Sequence, residues 1–146
     1  MISTICSGAL FYALDTKRFL FVHRAQSKRS NVWGLVGGTL EGEETEWEGC
    51  EREIQEEIGV VSISKTMPLE KFKSRDSLFV YHTYLCVVQE EFQPCLNCEH
   101  NGYAWVTYNC WPNPLHYGVK NTLNKKVNQV KISTIVDVLD QIDQLP

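Results

Sequence analysis

Nine of the chain's 18 acidic residues are glutamates between Glu41 and Glu57, and Arg52 is the one basic residue among them. Such a run is most often a solvated helix face, so spacing has to decide whether it does more. Glu53, Glu56 and Glu57 stand at i, i+3 and i+4, which on a helix puts their side chains on one face. Like charges at that spacing repel by a few tenths of a kcal/mol per pair, roughly, and a cation turns the repulsion into a binding site. Hard carboxylate oxygens at close quarters suit Mg²⁺, which takes a few carboxylates together with water and substrate phosphates, and Mn²⁺ is the natural substitute. Arg52, four residues before Glu56, can pair with a carboxylate or orient one. Gly37 and Gly38 precede the run, and glycines there let backbone come close to a metal, a phosphate or another strand.

The elements that would position these groups read as follows. A helix is expected from Glu46 to Ile58. Thr45 and Glu48 form a Thr-x-x-Glu capping box, and Gly59 is placed to end the helix in a left-handed conformation. Trp47, Cys50, Ile54 and Ile58 give its buried stripe. Ser7 to Leu14 and Arg18 to His23 read as a hairpin about an Asp15-Thr16-Lys17 turn. Ala25 to Asn31 reads as a polar loop, and Trp33 to Val36 as a short strand stopped by Gly37-Gly38. Further strands are expected at Leu69 to Phe72, Ser77 to Gln89 and Tyr103 to Tyr108. A short helix is expected near Leu115 to Leu123. A final helix should bury Val130, Ile135, Val138, Leu139 and Ile142. Strands mixed with a few helices indicate an α/β sandwich.

Reading from Gly38, five residues lead to Glu44 and seven more to Arg52-Glu53-Ile54-Gln55-Glu56-Glu57-Ile58-Gly59-Val60. This resembles the Nudix box, G-x5-E-x7-R-E-U-x-E-E-x-G-U, where U is a bulky aliphatic residue, and every specified position is filled. The flanks are similar too: Trp33-Gly34-Leu35-Val36 enters the box, although many members carry proline where Val36 stands. Arg24 ahead of Trp33, and Glu99-His100 ahead of Tyr103-Ala104-Trp105-Val106, extend the likeness over most of the chain.

The resemblance implies a single Nudix-type domain over residues 1–146, an α/β/α sandwich with a mixed sheet. It implies Mg²⁺-dependent hydrolysis of the diphosphate linkage in a nucleoside diphosphate derivative. Metal neutralises the charge of the diphosphate, acidifies bound water and aligns the reacting groups. Glu53, Glu56 and Glu57 are the expected ligands, Glu53 and Glu57 the firmest, with Gly37 or Gly38 offering a carbonyl. Glu44 either binds metal through water or serves the helix start electrostatically. Arg52 is expected to orient its neighbours. Glu99 is the candidate general base, with His100 behind it. Arg24 and Lys28 are candidates for phosphate contact, and Trp33 for stacking on a base, against the ordinary alternatives of solvation and core packing.

The substrate stays open at this stage. Asp76 and Leu78 stand where some family members carry a marker proline or tyrosine, and Tyr81 is offset. Nucleoside triphosphates, ADP-ribose and dinucleoside polyphosphates all remain, beside an RNA 5′-end or cap pyrophosphohydrolase and a non-catalytic nucleotide-binding protein of the same fold. The formal net charge of −4 does not point to a nucleic-acid binder. No apolar run approaches the roughly 20 residues that span a bilayer. Met1 to Cys6 has no basic region before its apolar stretch, so a cytoplasmic protein is expected. A homodimer is compatible with the sequence. The six cysteines, including Cys95-x-x-Cys98, read as free thiols in preference to a disulfide framework or a zinc site.

Overall fold

The strand that organises the molecule is β1 (Thr4–Ala13). Its side chains alternate between two cores, as the two-residue period of a strand dictates. Ala9, Phe11 and Ala13 join Cys50, Ile54 and Ile58 of one helix. Leu10 and Tyr12 join Leu85, Val119, Leu123, Ile132 and Leu139 on the opposite face. Each large apolar side chain so buried contributes roughly 2 kcal/mol, and the two faces together make a sheet covered on both sides. This is the expected α/β sandwich. In this computed structural model the described residues are 3–24 and 31–145. The loop expected over Ala25 to Asn31 falls almost wholly outside them, as does Lys28.

The elements in chain order are β1, β2 (Arg18–Arg24), β3 (Trp33–Gly34), β4 (Val36–Thr39), α1 (Glu46–Ile58), β5 (Lys65–Lys73), β6 (Phe79–Val88), β7 (His100–Thr107), α2 (Tyr117–Asn124) and α3 (Lys126–Asp143). The sheet has seven strands and is mixed. β1 runs parallel to β6 over its whole length. On its other edge it pairs antiparallel with β2 near one end and with β4 near the other. β5 pairs with β6, and β7 with β2. Among the described residues no helix is long and apolar enough to cross a membrane.

Two local expectations are corrected. Gly37 and Gly38 do not stop a strand; they lie within β4, and the break falls before them at Leu35. The cause is steric. A Cβ on Gly37 would sit 2.2 Å from the Ser7 carbonyl oxygen, so only glycine lets β4 lie flush on β1. On α3 the buried residues are Asn128, Ile132 and Leu139, whereas Val130, Val138 and Ile142 are about half exposed. Asn128 is buried because its amide donates to the Glu70 carboxylate at 2.8 Å and to the Thr122 carbonyl at 2.9 Å. A polar residue with both bonds met can lie inside, and it rotates the helix away from its more apolar stripe.

Candidate active site

α1 starts and runs as its sequence requires. Thr45 caps it, Glu48 closes the capping box, and the helix ends at Ile58. Gly59 has a positive φ of 91°, yet its ψ of −170° lies outside the left-handed helical basin. The last carbonyls are satisfied from elsewhere: the N–H groups of Cys95 and Asn97 donate to Ile58 at 3.0 Å and Glu57 at 3.2 Å. A distant loop therefore supplies the partners that a helix C-terminus lacks.

Glu57 points from α1 into the sheet and is 2% exposed. Its carboxylate accepts from the Gly37 N–H at 3.1 Å. One N–H does not offset the loss of water around a buried charge. Burial therefore pushes the Glu57 carboxyl up to about 8; the Gly37 N–H opposes this, the charges of Glu53 and Glu99 add to it, and Arg24 opposes it. Glu53, one turn earlier, is also raised, first by burial, with Arg52 opposing and Glu56 and Glu99 adding. It lies against Gly38, where a Cβ would come within 2.6 Å of its carboxyl carbon.

Arg52 gathers the remaining acids. Its Nε and Nη2 donate to Glu44 at 2.8 and 3.2 Å, and Nη1 donates to Glu53 at 3.0 Å and Glu56 at 3.2 Å. Nη2 also donates to the Thr39 carbonyl at 3.0 Å. The Arg52 hydrogen bonds hold the Glu44 carboxyl below the usual range, helped by the Glu41 N–H. Glu44 thus ties the loop before α1 to the helix. Glu56 stays on the outer side, with its side chain 55% exposed.

Glu99 arrives on the loop that caps α1. The Asn97 side-chain oxygen accepts from the Glu99 N–H at 3.1 Å, and the Asn97 carbonyl from the His100 N–H at 3.3 Å. Glu99, Arg24, Glu53, Gly37 and Gly38 line one cavity of about 730 Å³. His100 is buried and not among the lining residues, and burial holds its imidazole below the usual range, helped by the charge of Arg24 and opposed by Glu99. Trp33 is not among the lining residues. It packs on the core, 4.8 Å from the His23 ring, and its backbone bonds to Pro114 and His116 position the segment before α2.

Sequence reasoning missed the aromatic part of this cavity's lining. Phe72, Phe79 and Tyr81 line it, together with Asn121, Thr122 and Lys125. Phe79 and Tyr81 stack 6.3 Å apart, and Phe72 is the β5 register partner of Tyr81. The signal was the alternation Phe79, Tyr81, Thr83, which puts three side chains on one face of β6. Gly8 makes room for Tyr81: a Cβ there would overlap the Tyr81 hydroxyl. The cysteines Cys6, Cys50, Cys86, Cys95, Cys98 and Cys110 are all free.

The family model for the NUDIX domain matches residues 6–122. The chain belongs to the NUDIX domain family. As a Nudix pyrophosphohydrolase it acts on phosphoanhydride bonds. A Haemophilus influenzae dihydroneopterin triphosphate diphosphatase is 29% identical over 116 residues, covering 67% of this chain and 70% of its own. A MutT NUDIX hydrolase from Burkholderia pseudomallei superposes with a TM-score of 0.72 at 22% identity, covering 86% of this chain and 99% of its own. The Escherichia coli dihydroneopterin triphosphate pyrophosphohydrolase superposes with a TM-score of 0.58 at 18% identity, covering 88% and 99%.

Nudix hydrolases generally use divalent metal cations. Among the described residues, no three His, Cys, Asp or Glu side chains close into a metal cage as they stand. Arg52 holds one side of Glu53 and Glu56, while Glu57 faces Gly37. The chemistry of the donors nevertheless fits a hard cation. Burial raises both Glu57 and Glu53; the charges of Glu53 and Glu99 add to the first and those of Glu56 and Glu99 to the second, against Arg52, so these oxygen donors gain from a nearby cation.

Proposed function

We propose that this Nudix hydrolase is magnesium-dependent, with Mn²⁺ as a substitute, and that it converts a nucleoside triphosphate or a closely related ring triphosphate to its monophosphate. One observation carries the reading. A single cavity, of a size suited to a small ligand, is lined by carboxylates, Arg24 and the two glycines together with the aromatic side chains of Phe72, Phe79 and Tyr81. The carboxylates suit a cation with a polyphosphate, and the aromatic side chains suit a flat ring. The dihydroneopterin triphosphate diphosphatase relative acts on a substrate of this shape.

In this reading Glu53 and Glu57 are the principal ligands, Glu56 completes the acidic set, and the backbone of Gly37 or Gly38 approaches it. When bound, the metal neutralises charge on the phosphates and acidifies water. The chain's own groups do the rest. Glu99 takes the proton of the attacking water as its oxygen bonds to phosphorus and the bridging P–O bond breaks. Arg24 holds non-bridging oxygens, and Lys28 is a second candidate for that contact. Arg52 fixes Glu44, Glu53 and Glu56 in register and positions them without touching substrate. Trp33 is reassigned from ring stacking to support of the α2 approach, and Phe72, Phe79 and Tyr81 take the ring.

Among the described lining residues the Lys and Arg side chains are Arg24 and Lys125. This is sparse for an RNA groove, where affinity comes from many phosphate contacts. The free thiols agree with a cytoplasmic location.

The test is a substrate panel with Mg²⁺ or Mn²⁺ and product analysis. It comprises nucleoside triphosphates, dihydroneopterin triphosphate, ADP-ribose, a dinucleoside polyphosphate and a 5′-triphosphate RNA. Release of pyrophosphate with a monophosphate product is expected, and Glu57→Gln should lower turnover at least roughly a hundredfold. Undiminished hydrolysis by Glu57→Gln would reject the assignment.

A further inference from the structure

The lining of the cavity carries polar groups that the reaction itself does not use, Lys125 and Asn121. Lys125 lies between α2 and α3, lines the cavity and keeps its Nζ 5.1 Å from the centroid of the Phe72 ring. Its position is fixed by Glu70 on β5, which accepts from Nζ at 2.7 Å. The other Glu70 partners are Thr122 Oγ1 at 2.8 Å and Asn128 Nδ2 at 2.8 Å. Both carboxylate oxygens are therefore engaged, and Glu70 offers little further acceptor capacity toward the cavity. An ammonium has three N–H donors and no acceptor. One goes to Glu70, the charge also lies over the Phe72 ring, and the remaining N–H groups have no carboxylate partner among the described residues. Beside Lys125, Asn121 contributes a carboxamide to the same lining.

The edge of a ring seated on Phe72, Phe79 and Tyr81 thus meets a surplus of donors at Lys125. A ring carbonyl accepts from an ammonium, while an exocyclic amino group turns donor against donor. Lysine accordingly pairs with the carbonyl and ring nitrogen of guanine, whereas adenine's amino group needs an acceptor. We propose that this cavity selects fused rings bearing a carbonyl at the edge, of guanine or pterin type, over the amino-bearing adenine ring. Lys125 is the main specificity residue and Asn121 the second. The inference rests on the site reading above and names the ring class that the reading left open.

The experiment compares ITP with ATP, which differ at the ring edge by carbonyl against amino group. GTP and dihydroneopterin triphosphate distinguish the guanine source of that chemistry from the pterin one. Wild-type enzyme should favour ITP over ATP in kcat/KM by at least about tenfold. Lys125→Met should bring that ratio to within about threefold, mainly by raising KM for ITP, and Lys125→Arg, which restores donors, should recover it. Asn121→Ala should weaken all the fused rings while leaving the ratio largely in place. Calorimetric competition between IMP and AMP reads the same preference without turnover. A wild-type ratio near one, or a ratio unmoved by Lys125→Met, overturns the inference. If that happens while Glu57→Gln is inactive, the site reading stands and the ring assignment alone fails. Full activity in Glu57→Gln would remove both.

Discussion

The backbone N–H of Asn97 donates to the carbonyl oxygen of Glu57 at 3.2 Å. The end of the acidic helix and the loop that carries Glu99 are thereby one mechanical unit. The Asn97 side chain then accepts from the Glu99 N–H at 3.1 Å, an Asx turn that sets the direction of the chain at Glu99.

Asn97→Ala removes that acceptor and leaves the backbone anchor in place. Turnover should fall about tenfold, the scale of one lost hydrogen bond at a positioned group. Asn97→Asp keeps the acceptor and should stay within about threefold of wild type. The KM should move less than kcat in both, since the cavity lining is unchanged. Equal activity in the alanine variant would mean that Glu99 is held by other contacts or takes no part.

Glu57 makes the metal-free protein sensitive to pH. Its carboxyl is raised from 4.5 to about 8 in the folded chain, so between those values the folded state holds a proton that the unfolded state has released. Stability therefore falls as pH rises through that window, by at most about 1.4 kcal/mol per pH unit for one group, and levels off above it. Glu53 is shifted in the same direction and adds to the fall. Thermal melts of chelated protein from pH 5 to 9 should show the decline. Saturating Mg²⁺ should flatten it by favouring the charged form, and Glu57→Gln should flatten it without metal. A metal-free melting temperature that rises with pH across this range would contradict the burial argument.

The two glycines of β4 separate folding from function. A Cβ on Gly37 meets backbone, 2.2 Å from the Ser7 carbonyl oxygen and 2.6 Å from the Gly8 Cα. Neither atom can move without parting β1 from β4, so Gly37→Ala should destabilise the protein by roughly 2–4 kcal/mol, as other steric conflicts in packed interiors do. A Cβ on Gly38 meets the end of the Glu53 side chain at 2.6 Å, which can swing away. Gly38→Ala should therefore melt within a few degrees of wild type yet lose about a hundredfold in turnover, because a ligand carboxylate is displaced. Urea melts and initial rates on the same preparations decide between these outcomes.

What could be read from the chain follows the range of the interactions concerned. The bounds of α1, its capping box and the first hairpin depend on residues a few positions apart, and the structure has them as expected. The acidic half of the cavity was legible for the same reason, since its residues come mostly from the segment Gly37 to Glu57. The aromatic half depends on which strands become neighbours. Phe72 and Tyr81 meet only because β5 folds back on β6 in one register. On α3 the expected stripe of Val130, Ile135, Val138, Leu139 and Ile142 is only partly the buried one. The stripe containing Asn128 prevails through Glu70, 58 residues away in sequence, and no local pattern announces a partner at that distance.

Arg52 makes five hydrogen bonds with five N–H donors: two to Glu44, one each to Glu53 and Glu56, and one to the Thr39 carbonyl. Lysine retains the charge but has three donors on one nitrogen, so it cannot span that fan of acceptors. Arg52→Lys should therefore separate geometry from charge. If neutralising the acids were enough, the variant would behave as wild type. If orientation of Glu53 and Glu56 matters, turnover should drop by roughly ten- to a hundredfold, and the Mg²⁺ concentration giving half-maximal rate should rise. Loss of the Glu44 bonds also frees the loop before α1, so the melting temperature should fall as well. Glu44→Gln keeps an acceptor for Arg52 and serves as the control: it should lose less activity than Arg52→Lys, because Glu53 and Glu56 keep their guanidinium partner.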